Sequence, residues 1–215
     1  MVERVQGDRM INIYRLIDAL SDLCDEDDVI SPGASSTCAT LTFQAWRVKF
    51  GQTFTYLGAM GAMGTGLPVA IGACLASGRK RTICVNGDGG FQLNIQELEV
   101  VKRLVLPIKF FILNNGGYGA IMNTQRRYFD GRYVGANAES GYTTPDIRAV
   151  AEAYGIKTHI IEFDDDIKPV CKVALSDNMP CVVEVITSDQ QETLMRVSSK
   201  MVDGKPVSGK FEEVA

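Results

Sequence analysis

Along the chain, apolar positions switch between helical spacing and short unbroken runs. In MINIYRLIDALSDLC (10–24), Ile11, Tyr14, Leu16, Ile17 and Leu20 fall near one helical face. DDVISPG (27–33) predicts a short strand ending at a Pro-Gly break, STCATLTFQAWRVKF (36–50) a helix, and TFTYLG (53–58) a second short strand. GLPVAIGACLASG (66–78) predicts a buried helix starting near Pro68, with small residues that let it lie close to a sheet. RTICVNGDG (81–89) is an apolar strand stopped by a glycine turn, FQLNIQELEVVKRL (91–104) a helix, and PIKFFILNN (107–115) another buried strand. The glycine-dotted stretch 116–143 predicts a short helix in its first half. The rest is too long for a routine connection and is a candidate functional loop. TPDIRAVAEAYG (144–155) has Pro145 at a helix start and Gly155 past its end; strand 157–163, helix 165–177 and strand 180–187 follow.

About six buried strands alternating with helices imply an α/β fold: a doubly wound, mainly parallel six-stranded sheet with helices on both faces. One domain over 1–190 is expected, with a polar tail, 191–215, packed on its surface. In such sheets ligands sit beyond the carboxyl ends of the strands. GDGG and NNGGYG both fall there.

Composition narrows the choices. A length of 215 residues, 46% hydrophobic and 22% charged, is ordinary for a globular domain, and the net charge of −4 gives no electrostatic case for nucleic acid. Short basic runs such as GRKR (78–81) and QRR (125–127) read as solvated surface, although Arg126 and Arg127 are within the reach of an acidic substrate. The six cysteines lie mostly in apolar runs without a C-x-x-C pair, the pattern of reduced, buried thiols in a cytoplasmic protein. The single histidine, His159, gives no zinc spacing and reads as structural. No apolar run reaches the roughly 18 residues of a membrane span, and the polar start has no signal-peptide core.

The chemistry concentrates at the two strand-end turns. Gly87, Gly89 and Gly90 let a bulky anion approach the backbone, and the following helix turns N–H groups toward it. Asp88 would repel a phosphate beside it unless a divalent cation lay between them. Magnesium takes about six oxygens, commonly one or two carboxylates with substrate phosphates, and an asparagine amide oxygen from the next strand end is a suitable neutral ligand. Neighbouring strands lie roughly 4.8 Å apart, so two strand-end loops can share one ion.

GDG, then 24 residues, then NN resembles the diphosphate-binding motif of thiamine diphosphate-dependent enzymes. Upstream, GAMGTGLPVAIGA (61–73) resembles the cofactor-facing segment of the acetolactate synthase-like branch, and SSKMVDGKPVSGKFEEVA (198–215) resembles its carboxyl end. The resemblance implies a thiamine diphosphate-binding fold, with thiamine diphosphate and Mg2+ as cofactors. Metal ligation falls to the Asp88 carboxylate, the Asn115 side chain and the Gly117 carbonyl. Gly87, Gly89 and Gly90 would line the diphosphate site, the N–H groups of Gly89 and Gly90 donating to it. Gly61 matches the residue whose carbonyl accepts from the aminopyrimidine, and Met63 the apolar residue that bends the cofactor. Tyr118 follows the metal loop and is a further cofactor contact. Where the branch usually carries Gln-His after the first turn, this chain has Ser35 and Ser36, whose hydroxyls suit phosphate.

The family implies a reaction on a small 2-oxo acid, decarboxylation followed by carboligation. The glutamate that activates the cofactor lies in a pyrimidine-binding domain, so no catalytic residue is assigned within this chain. That domain is expected elsewhere in the same protein or in a separate subunit of a homo- or hetero-oligomer. The chain is accordingly expected to be an excised carboxyl-terminal piece of a longer protein or one subunit of a split enzyme, inactive alone. A split 2-oxo acid decarboxylase subunit and a non-catalytic interaction domain are the alternatives.

Overall fold

A computed structural model of the protein describes residues 11–191, 193–194, 197 and 199–210. Its centre is a sheet of β1 (Val29–Ile30), β2 (Thr53–Phe54), β3 (Thr82–Gly87), β4 (Ile108–Asn114), β5 (Lys157–Ile161) and β6 (Cys181–Ile186). The strands run parallel in the order β2-β1-β3-β4-β6-β5. Successive side chains leave opposite faces of a strand, so an apolar run without polar alternation has to be buried twice over. Ile83, Val85, Phe111, Leu113, Val183 and Val185 pack on one face against α1 (Ile13–Leu23) and α8 (Ile167–Leu175). Cys84, Phe110, Ile112 and Val182 pack on the other against α3 (Gly66–Ala76), α5 (Leu98–Leu104) and α7 (Ile147–Ala153). This is the doubly wound arrangement expected. All six cysteines are buried and unpaired.

Caps fix the helix ends. Asn12 Oδ1 accepts from Tyr14 N (2.9 Å) at the start of α1, and Asp146 Oδ1 from Ala149 N (2.9 Å) at the start of α7. Gly155 takes a positive φ of 69° after α7, the left-handed position that ends helices.

Three segments depart from expectation. The helix expected over 36–50 is a π-turn, Ser36–Thr40, running into a short α2 (Leu41–Ala45). It stops because Trp46 leaves the helix to enter the core, its Nε1 donating to Gln52 Oε1 at 3.1 Å. The single helix expected over 91–104 is divided into α4 (Asp88–Gln92), a 3-10 turn and α5. Asn94 makes the break, with φ −138° and Nδ2 donating to Gly64 O at 2.8 Å. The helix therefore begins at Asp88, directly on the strand end. In the tail, β7 (Ser199–Val202) and β8 (Lys205–Ser208) form a hairpin turned by Asp203 and Gly204, both at positive φ. Gln191 Oε1 accepts from Ile13 N (3.1 Å), and Gln44 Nε2 donates to Leu194 O (2.8 Å), which lays this end of the chain on α1 and α2.

Candidate functional site

β3 ends at Gly87 and β4 at Asn114, paired in parallel, so their exits lie side by side. The first exit becomes α4 without a linker; the second makes a turn before α6 (Gly119–Tyr128). Between them opens a cavity of about 370 Å3. Ser35, Gly61, Met63, Gly87, Asp88, Gly89, Gly90, Asn115, Gly117 and Tyr118 all line it, so the fold gathers these sequence-selected residues around one space. Ser36 is not among the lining residues, and its side chain is outside the described atoms.

The two turns are tied by backbone donors. Asp88 is 2% exposed, and its Oδ2 accepts from Gly116 N (2.9 Å) and Gly117 N (3.1 Å) while Oδ1 accepts from Gly89 N (2.7 Å). Asn115 Oδ1 accepts from the same Gly117 N at 3.1 Å. The carboxylate and the carboxamide thus share one N–H across the strand boundary. The Gly117 carbonyl accepts from Gly119 N at 3.1 Å, on the same turn.

The glycines divide into two kinds. At Gly33, Gly66 and Gly90, an added Cβ would fall 2.3, 2.6 and 2.9 Å from the carboxamide of Asn86. Asn86 is 3% exposed, and it wedges three chain segments together beneath the cavity. At Gly87 a Cβ would meet only Cys38 Sγ at 3.8 Å, and at Gly61 nothing within 4 Å, so packing does not explain glycine there. Both border the cavity, where a side chain would fill the space left for an occupant. Gly61 also has φ +56°, a second reason against a side chain.

The stretch after α6 closes over the second turn. Ala136 O accepts from Tyr118 N (2.9 Å), and Gly117 forms an isolated antiparallel bridge with Asn137. Asn137 and Ser140 form a capping box that holds this loop in shape. It delivers Tyr142 onto Tyr118, ring centroids 4.0 Å apart, with Tyr142 Oη accepting from Gln92 Nε2 at 2.6 Å. A Cβ on Gly89 would strike the Tyr118 ring at 2.4 Å. Burial first, then the neighbouring Tyr118 hydroxyl and Asp88, push the Tyr142 phenol upward. Burial likewise raises the Cys38 thiol at the cavity wall to about 12, with Asp88 adding and the Ser35 hydrogen bond opposing.

Several residues of this architecture were not selected from the sequence: Asn86, Tyr142, Ala136 and Glu184. Two carried a signal, since Asn86 and Glu184 are polar residues inside apolar strand runs. Tyr142 carried none, because its role depends on how the long loop folds. Arg126 is turned to Asp189, 3.1 Å away.

The donor set fits magnesium held together with a diphosphate. Such a site uses few protein carboxylates, because the phosphates supply much of the charge. Among the described residues no group of three or more His, Cys, Asp or Glu side chains forms a metal cluster. The cavity instead brings together the Asp88 carboxylate, the Asn115 carboxamide and the Gly117 backbone, beside glycine-lined space. Two buried polar atoms without a hydrogen-bond partner, Asn86 Nδ2 and Thr187 Oγ1, also belong to residues of this wall, as suits a polar occupant.

Comparison with known proteins points the same way. An acetolactate synthase large subunit of Cyanidium caldarium is 35% identical over 132 residues, 61% of this chain and 22% of that protein. An acetolactate synthase of Arthrospira platensis is 32% identical over 164 residues, 74% of this chain and 28% of its own length. The chain therefore spans under a third of these relatives. Among solved structures, the thiamine diphosphate-dependent 4-hydroxybenzoylformate decarboxylase of Rhodococcus jostii RHA1 superposes with a TM-score of 0.73 at 25% identity, covering 89% of this chain and 35% of that one. Residues 35–185 match the model of the thiamine pyrophosphate enzyme C-terminal domain, and the chain belongs to that thiamine pyrophosphate-binding family, on its acetolactate synthase-like side.

Proposed function

We propose that this chain is the cofactor-holding part of an acetolactate synthase-like enzyme that decarboxylates a 2-oxo acid and joins the remainder to an acceptor. The observation that carries the reading is the Gly117 N–H shared by Asp88 and Asn115 at the mouth of a glycine-lined cavity. Asp88, Asn115 and the Gly117 carbonyl would hold Mg2+. Backbone N–H groups of the 87–90 turn, with Ser35 opposite, would receive the diphosphate, and Met63 and Gly61 would face the ring end. Bound thiamine diphosphate supplies an electron sink for loss of carbon dioxide. The chain's own residues bind and orient it, and Tyr118 with Tyr142 shields the α4 start from water.

A pyrimidine-binding domain, in the same protein or another subunit of an oligomer, is needed to complete the site. A cytoplasmic setting agrees with six buried, unpaired thiols, and no helix among the described residues is long and apolar enough to cross a membrane. Simple decarboxylation is the second reading, favoured by the activity in the printed name of the superposed Rhodococcus enzyme.

The test is thermal unfolding with thiamine diphosphate plus Mg2+. The midpoint should rise, chelation of Mg2+ should reverse the rise, and Asp88→Ala should abolish it. A response to a nicotinamide dinucleotide instead, or no response at millimolar cofactor, rejects the reading.

A further inference from the structure

Glu184 is an unexpected residue. It sits in β6, a strand flanked by β4 and β5, is 7% exposed, and interrupts a run of valines. A valine would continue the apolar run of its neighbours. The fold nevertheless keeps a carboxylate, and its two oxygens have different partners. Oε2 accepts from Arg148 Nε of α7 at 3.1 Å. Oε1 accepts from Asn114 Nδ2 at 2.6 Å.

The second contact has a directional consequence. Glu184 is paired across the sheet with Ile112, so Asn114, two residues on, leaves the same face as its diagonal neighbour. A carboxamide has a donor end and an acceptor end. Facing a carboxylate, only the donor end is tolerated, so the Asn114 amide is held one way round. Its Oδ1 then points along the strand to Gly116 N, 3.0 Å away. That N–H also donates to Asp88 Oδ2 at 2.9 Å. The next N–H, of Gly117, joins Asp88 to Asn115. An unbroken line of hydrogen bonds therefore runs from Arg148 at the surface, through Glu184 and Asn114, into the turn that presents Asn115 and Gly117 beside Asp88. Gly116 has φ +75°, a conformation that glycine adopts readily, and its N–H is held by both Asn114 and Asp88.

We propose that Glu184, braced by Arg148, is a positioning residue: by fixing the orientation of the Asn114 amide it sets the 114–117 turn in the shape that places Asp88, Asn115 and the Gly117 carbonyl around one divalent cation. This rests on the cofactor reading above. Partners that orient metal ligands commonly change metal affinity by about 10–100-fold when removed.

The experiment titrates Mg2+ at fixed thiamine diphosphate on the full chain and reads the Mg2+ concentration giving half of the thermal shift. In parallel, Mn2+ is titrated in the presence of thiamine diphosphate and followed by its electron paramagnetic resonance signal. Glu184→Leu should raise the half-shift concentration about tenfold or more, read relative to the variant's own cofactor-free midpoint. Glu184→Gln keeps an oxygen facing Asn114 and should restore most of the affinity. Asn114→Ala breaks the line at its other end and should match Glu184→Leu, which covers the case in which the leucine variant does not fold. Unchanged Mg2+ and Mn2+ midpoints in these variants, with a normal wild-type response, overturn the positioning role alone. Equal losses in the glutamine and leucine variants, following lowered cofactor-free stability, also overturn it. A wild-type chain that gives no cofactor response overturns both this role and the cofactor reading.

Discussion

Two aspartates buried at opposite ends of the sheet, Asp28 and Asp88, are held in different ways. At the amino ends of the strands, Asp28 is met by the guanidinium of Arg81, Nε at 2.8 Å from Oδ1 and Nη2 at 2.6 Å from Oδ2. Lys109, fully buried in β4, reaches Asp177 at 2.9 Å and the Met179 carbonyl at 2.6 Å. At the carboxyl ends, Asp88 is as deeply buried as Asp28 but is met by N–H groups of three glycines. A full countercharge neutralises a carboxylate. Backbone N–H groups aimed at a carboxylate stabilise it through partial charges instead. Size does not distinguish the two ends, since a cleft of about 470 Å3 lies at the amino end as well. There Asp25, Asp27 and Asp28 are bridged by Lys80 and Arg81, and the charges answer one another. On the reading proposed above, the cofactor would bind at the end where glycine N–H groups meet Asp88 beside glycine-lined space.

The sharpest way to separate the two ends is to break the paired one. Arg81→Ala leaves Asp28 buried without its guanidinium and should destabilise the protein by about 3–5 kcal/mol in denaturant unfolding. The Mg2+ dependence of any cofactor response should stay as in wild type, because the lesion lies at the far end of the strands. A shifted Mg2+ dependence in a variant that still folds would show that the ends are coupled. A smaller effect is expected from Gly117→Ala at the site. Its Cβ would come 2.3 Å from the Ala136 carbonyl, a backbone atom that cannot turn aside. The loop carrying Tyr142 must shift, at about 1–3 kcal/mol, and the cofactor-dependent rise should shrink with it. Wild-type behaviour in both would mean that the loop does not bear on the turn.

How far the sequence revealed this structure depended on the range of the interactions involved. The sheet was legible because strands buried on both faces read as apolar runs, and β3, β4 and β6 are of that kind. The paired turns were legible because GDG and NN, 24 residues apart, resemble the diphosphate-binding motif of a known family. Helix continuity was not. The break at Asn94 comes from a bond to Gly64, thirty residues away, and nothing local in FQLNIQEL announces it. The end of α2 at Ala45 likewise reflects Trp46 seeking the core. The hairpin at Asp203-Gly204 carries a strong turn signal in its Asp-Gly pair, set within an otherwise polar tail. Tyr142 was out of reach, because its position is set by a loop whose own shape hangs on Asn137, Ser140 and Ala136.

The smallest expected effect again concerns the amino end, and it is a slope rather than a level. His159 lies in β5, close to Lys157, Lys109 and Asp177. Burial, then the positive charges of Lys157 and Lys109, lower its pKa below the ordinary 6.5, with Asp177 opposing. As pH falls through 6.5 the unfolded chain takes up this proton before the folded one does. Stability should therefore decline from about that pH until the folded imidazole is also charged. Asp177, held low chiefly by its hydrogen bond from Lys109, adds a loss of the same sign only below its ordinary 3.8. His159→Gln should flatten unfolding free energy against pH between about 7.5 and 5.5 while keeping the drop in strong acid. The Mg2+ dependence of the cofactor response, measured at one pH, should not move. A slope unchanged by the substitution would assign the titration to another group and remove His159 from the charge balance of that edge.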